Sequence, residues 1–326
     1  MGDVHPRDLP LADARALVRR AVDKAEQLGL RGAIAVVGAS GAPVTASRLD
    51  DGGPGGMTRA RSKAWISATQ QIPSAEHLHR MTTLPPPISS GFVQASPEAV
   101  FPGAGGMPVR DGSGRVVAGI AASGATVSPF LPADVAPEVV SADGQPANPE
   151  DLLVAYALQV PYVGQHGDDA ARWRARFGDL VVPPEESLGM RAAPPASGQH
   201  QLDWALEVAD RVLEVARRRG VDVAVAVCDA GGDPIQQDRM DDAVAGGVEV
   251  ALATAAAAAR FGVPSGALRD RYGPDAGALA ALHPVPVLAV PGGVPARDAG
   301  RVVGGLGVGG ADPRLCAEIA AEVLEA

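Results

Sequence analysis

The sequence predicts two α+β domains in tandem, each an antiparallel sheet packed with helices. Three observations carry this. First, the chain repeats itself: Ala33–Asp50 lines up with Ala224–Asp241, 191 residues on, and Gly105–Asp111 with Gly292–Asp298, 187 residues on. The blocks keep their order, and the unit is far longer than a solenoid repeat, so a whole domain has been duplicated. Second, each copy reads helix, hairpin, helix, hairpin, and short Gly turns join adjacent antiparallel strands. Third, 326 residues with 46% hydrophobic and 20% charged content are enough for two buried cores.

The elements follow in order. Leu11–Leu28 and Leu202–Arg219 carry apolar residues at spacings of three and four with Arg, Asp and Glu between them, the pattern of an amphipathic helix. Gly29 and Gly220 are their stops. The apolar runs Ala33–Val37 and Val223–Val227, a Gly-containing turn, and strands ending at Arg48 and Arg239 form the first hairpin of each copy. A second helix spans about 59–71 and 247–261, ahead of Pro73 and Pro264. The second hairpin joins Pro108–Arg110 to Arg115–Ser123, and Pro295–Arg297 to Arg301–Val308. A last helix, Arg314–Glu325, closes the second copy. The expected boundaries are 1–131 for the first domain, 132–199 for a Pro/Gly-rich connector and 200–326 for the second domain. The connector holds a short helix at Leu152–Leu158 and a local excess of aromatics, Tyr156, Tyr162, Trp173 and Phe177. It is either a strap or a lid over a pocket.

Composition excludes several functions. A net charge of −10 argues against a nucleic-acid surface. Cys228 and Cys316 lie too far apart for a metal motif, so neither a disulfide framework nor structural zinc is expected. The first residues lack an apolar leader, and no uncharged run is long enough to span a bilayer, so a cytoplasmic protein is expected. Gly305-Leu-Gly-Val-Gly-Gly310 satisfies GxGxxG, but a dinucleotide fold needs a further strand with an acidic end, so these glycines read as strand and turn packing.

Three segments together, AVAVxDAGGxPxxxxRMD, the Ala-rich helix before Pro, and GGxPxRDxxGxVxGxxxxSG, resemble the GlcG/HbpS-like family. This is also called the DUF336 or haem-degrading-domain family and includes the C-terminal domain of PduO-type proteins. The resemblance covers about 9–130 and 200–326. It implies a profilin-like sheet in each domain, an intrachain pseudo-dimer and a homo-oligomer. It also implies a pocket where the Gly-Gly-x-Pro turn meets the second helix.

On that resemblance Gly105, Gly106, Gly292 and Gly293 bring backbone N–H groups close to a ligand oxygen, with Arg110 and Arg297 adding charge. The alternative is tight hairpin geometry. The family Lys of the second helix is kept as Lys63 in Ser62-Lys63-Ala64, whereas the second copy has Ala253-Thr254-Ala255. Lys63, His79 and Arg110 are the candidate catalytic residues, and Tyr156 and Tyr162 candidate walls for a bound small molecule. His77 and His79 lie two apart, which makes a poor metal clip on a helix, so no metal is expected. They could instead ligate haem or serve as acid and base. Two function classes stay open. One is a cofactor-independent isomerase, lyase or cyclase acting by proton transfer on a small carboxylated or planar metabolite of a catabolic or biosynthetic pathway. The other is a haem-binding or haem-degrading protein, with haem entering only through the resemblance.

Overall fold

The computed structural model describes residues 8–50, 52–96, 99–101, 103–125, 148–160, 201–281 and 287–325. Contacts divide the chain into two units, Met1–Ala42 with Leu49–Gly198, and Pro43–Arg48 with Gln199–Ala326. Both mix helices with antiparallel sheet, as the repeat requires.

The first unit opens with α1 (Leu11–Gln27), whose buried Leu11, Ala14, Leu17, Val18, Ala21 and Val22 recur at three and four. Burying each Leu or Val side chain in such a stripe contributes about 1.5–3 kcal/mol. β1 (Ala33–Gly38) follows, then α2 (Gly55–Thr69), α3 (Ser74–Thr83) and α4 (Pro86–Ala95). β3 (Gly106–Arg110), β4 (Val116–Ser123) and α5 (Pro149–Leu158) complete it. The sheet order is β3-β4-β1, antiparallel throughout. Helix α2 packs on all three strands, while α5 packs on α1, β4 and β3. The segment read from the sequence as part of a connector therefore supplies the closing helix of the first unit. The acidic first turn of α5 is thereby brought to β3.

The second unit holds α6 (Gln201–Arg219), β5 (Ala224–Asp229), β6 (Pro234–Arg239) and α7 (Gly247–Phe261). It continues with α8 (Ala267–Tyr272), a 3-10 turn at Gly273–Ala281, β7 (Gly293–Asp298), β8 (Arg301–Gly309) and α9 (Pro313–Glu325). Its sheet runs β2-β6-β5-β8-β7, where β2 is Pro43–Arg48. β2 pairs antiparallel with its own repeat equivalent, β6, in a register centred on Ala46 and Gln237. The repeated Arg and Pro of these strands now have a role. Arg48 Nε donates to Pro234 O at 2.8 Å, and Arg239 Nε donates to Pro43 O at 2.9 Å. Helices α6 and α7 cover opposite faces: a Cβ on Gly304 would meet the Trp204 ring, and one on Gly305 the Ala259 Cβ. Gly305, Gly307 and Gly309 all lie under α7. The GxGxxG string is thus strand packing against an Ala-rich helix, with no room for a nucleotide.

The second helix of the first copy starts earlier than the sequence suggested, at Gly55 in place of about residue 59, whereas that of the second copy spans Gly247–Phe261 as expected. Both helices open beside the first strand of their copy: a Cβ on Gly56 would lie 3.6 Å from the Ala33 Cβ, and one on Gly247 a tight 3.3 Å from the Ala224 Cβ.

A buried lysine–glutamate pair as candidate functional site

Lys63 sits mid-way along α2, its side chain 4% exposed, and its Nζ donates to Glu150 Oε2 at 2.5 Å and to Ala122 O at 3.4 Å. Glu150 Oε1 accepts from the Gly124 N–H at 2.7 Å, and the next residue, Asp151, accepts through Oδ1 from the Gly105 N–H at 2.5 Å. Both carboxylates lie on the first turn of α5. Asn148 caps that turn, its Oδ1 accepting from the Glu150 and Asp151 N–H groups, with Pro149 following it at the helix start. Acidic side chains there complement the positive end of the helix. Two charges removed from water need close geometry and extra hydrogen bonds to hold together. This pair has both.

A short segment covers the amine. Ser62 Oγ donates to Ala99 O and accepts from the Phe101 N–H, both at 2.6 Å, and Ser74 Oγ donates to Gly103 O. These serines hold the Phe101 ring with its centroid 5.8 Å from Lys63 Nζ, a cation–π distance. Phe101 itself is 46% exposed. Its ring separates a buried cation from solvent.

The other expected residues are placed as follows. Gly105 has φ of 104°, and its N–H meets Asp151. The anion this turn holds belongs to the protein itself. Gly106 packs under Ser67 and Ser74. In the second unit the Gly292 carbonyl accepts from the Val308 N–H at 2.9 Å, and the Gly293 N–H donates to Ser265 Oγ at 2.9 Å. Arg110 is exposed and donates to Gly114 O at 2.9 Å and Gln71 O at 3.3 Å. Arg297 does the same with Gly300 O at 2.8 Å and Gly262 O at 2.5 Å. Each ties a hairpin turn to the end of the second helix of its copy, the contact that the hairpin alternative expects. His79 is exposed on α3, and the inward member of the His pair is His77, 4% exposed. Burial holds the His77 imidazole below its ordinary pKa, with the Arg80 charge adding to the effect. Its Nε2 has no hydrogen-bond partner among the described residues. Tyr156 is exposed on α5, its ring 5.1 Å from Lys24 Nζ, so it walls no pocket over Lys63. Tyr162 lies outside the described residues.

The pattern of strands, glycines and helices just described is that of a known family: residues 9–129 and 201–325 both match the family model "Haem degrading protein HbpS-like". The chain belongs to the HbpS-like family. Among solved structures, a DUF336 protein, ORFY of Klebsiella pneumoniae, is 24% identical at a TM-score of 0.37, covering 38% of this chain and 88% of its own. A double mutant of HbpS from Streptomyces reticuli is 27% identical at a TM-score of 0.37, covering 41% and 90%. A PduOC:Heme complex is 24% identical at a TM-score of 0.33, covering 37% and 88%. No curated protein matches.

Within this HbpS-like chain, reasoning from sequence missed Glu150, Asp151, Phe101 and the inward turn of His77. A signal for the first two existed. Asn148-Pro-Glu-Asp151 and Asp312-Pro-Arg-Leu315 share a capping residue followed by Pro, so α5 and α9 are equivalent closing helices. The long insertion before Asn148 hid that match. In the second unit a groove of about 550 Å³ lies between α6, α9 and β7, with Trp204, Ile235, Val294 and Leu324 among its walls. Gly292 and Gly293 do not line it. Among the described residues no cluster of His, Cys, Asp or Glu could hold a metal ion, and no helix is long and apolar enough to cross a membrane.

Proposed function

We propose that this chain is a cofactor-independent enzyme that moves a proton on a small carboxylated or planar metabolite, with the chemistry in its first unit. The observation that carries the reading is the buried Lys63–Glu150 pair. A donor and an acceptor 2.5 Å apart in a dry site form a ready acid–base couple. The second copy has Thr254 in place of the lysine, and its hydroxyl bonds Val250 O at 2.8 Å within its own helix. One copy works and the other supports.

The test needs no prior substrate. The protein is incubated in deuterated water with a panel of 2-oxo, 2-hydroxy and unsaturated carboxylic acids, and deuterium incorporation is read by mass spectrometry. Wild type should label at least one acid. The double variant Lys63→Met/Glu150→Leu removes the whole pair without stranding a charge, and it should label none. Labelling unchanged in that variant defeats the reading. The expected partner is a small molecule and the expected assembly a homo-oligomer, which light scattering checks.

Haem handling is the second reading, supported by the family's description and by one observation. His77 presents a buried Nε2 without a partner among the described residues, in the neutral form that iron binds. Haem, if bound there, would supply redox chemistry, and His77 is the residue that would hold it. The Phe92 ring packs against the imidazole at 5.1 Å between centroids, so a haem at His77 would require Phe92 to move. A Soret band that forms in wild type and is lost in His77→Leu would favour this reading over the first.

A further inference from the structure

Lys63 is one of two lysines in a chain whose other basic residues are Arg and His, and it is buried against a carboxylate. Arg serves every surface role of a cation at least as well as Lys. What Lys offers and Arg does not is an amine that becomes a nucleophile when it gives up one proton. Glu150 is placed to take that proton. Moving it across the 2.5 Å contact converts ammonium and carboxylate into a free amine and a carboxylic acid, removing two charges from a site that water does not reach. Gly124 holds the far oxygen of Glu150, so the acid keeps its place as the proton moves. Asp151, bound to the Gly105 N–H, anchors the same helix turn beside it.

We propose that Lys63 captures the carbonyl carbon of a small aldehyde or ketone as an imine, with Glu150 as proton shuttle and Phe101 as the cover the ligand displaces. This rests on the proton-transfer reading and narrows its substrate class to carbonyl compounds. The steps balance. The Lys63 Nζ lone pair forms the C–N bond, the carbonyl π pair moves to oxygen, and that oxygen takes the proton from Glu150. The nitrogen returns a proton to Glu150. Glu150 then protonates the hydroxyl, the C–O bond breaks, water leaves, and the nitrogen lone pair completes a protonated C=N. One water is released, Glu150 ends as carboxylate, and no oxidant or metal enters. Such an imine acidifies the neighbouring C–H, the type of bond a proton-transfer enzyme must break.

Because the chain has two lysines, the test reads cleanly. Wild type is incubated with glyoxylate and sodium cyanoborohydride, digested, and mapped by mass spectrometry. The carboxymethyl adduct is expected on Lys63 at about ten times its level on Lys24, whose Nζ lies against Tyr156 and bonds Gln27. Phe101→Ala, which leaves the ion pair untouched, should speed labelling of Lys63. Glu150→Gln should slow Lys63 labelling about a hundredfold relative to Lys24 in the same digest, and, because it leaves the Lys63 charge unpaired, should also lower the melting temperature; Glu150→Asp, which keeps a carboxylate, should restore part of the rate. Adduct on Lys24 but none on Lys63, in both wild type and Phe101→Ala, overturns the proposal. The two readings separate: deuterium incorporation without trapping overturns the imine alone, and trapping without deuterium incorporation upholds the imine while defeating catalytic proton transfer.

Discussion

The two copies share their hairpins, their second helices and even the Arg that ties each hairpin turn to a helix end, yet they differ at buried positions of the second and third helices and in the first turns of α5 and α9. Lys63 corresponds to Thr254, His77 to the fully buried Leu268, and Glu150 and Asp151 to Arg314 and Leu315 counted from the helix caps. The first copy buries a charged pair and an imidazole where the second buries a self-bonded hydroxyl and an alkyl side chain. Residues that build the fold recur in both copies. At these positions the buried titratable groups stand in the first only.

The sharpest way to break this comparison is to remove one member of each copy's set. Glu150→Leu or Lys63→Met leaves a buried charge alone and should cost about 3–5 kcal/mol, whereas the double variant should recover most of it. Thr254→Val loses one hydroxyl bond and should cost about 1 kcal/mol. Denaturant melts of the four variants measure this. Equal losses at Lys63 and Thr254 would mean the pair is ordinary packing.

His77 gives the next test. Its folded pKa lies below the unfolded value near 6.5, so the unfolded chain binds its proton first as pH falls. The stability it contributes is full above about pH 6.5 and is lost as pH falls toward the folded pKa, at no more than about 1.4 kcal/mol per pH unit for one proton. Urea melts between pH 5 and 8 should show that acid slope in wild type. His77→Leu, which imports the second copy's residue, should flatten it. A slope that persists would place the proton elsewhere.

The smallest effect is expected at the two arginines. Arg110 and Arg297 bond only carbonyls in the contacts described, at the exposed ends of equivalent turns, so each Arg→Ala should cost about 1 kcal/mol, and by the same amount. A loss of deuterium incorporation confined to Arg110→Ala would return it to the active set and revise the placement above.

Local pattern carried the repeat, the order of helices and hairpins, and the packing role of Gly305–Gly310, because each depends on neighbours a few residues away. The family resemblance and the scarcity of lysine in the chain single out Lys63. Tertiary structure alone decided what Lys63 faces. Glu150 is 87 residues away in sequence, on a helix whose resemblance to α9 was masked by an insertion, and no local spacing reports a contact closed over that distance. The arginines show the converse. Their sequence context fits an anion site and a turn equally well, and the bonds to the carbonyls of Gln71 and Gly262 are brought in by folding alone. His77 and His79 divide for a similar reason: two residues apart on a helix they point to different sides, and only the packing of α3 against α2 and β3 decides which one is buried.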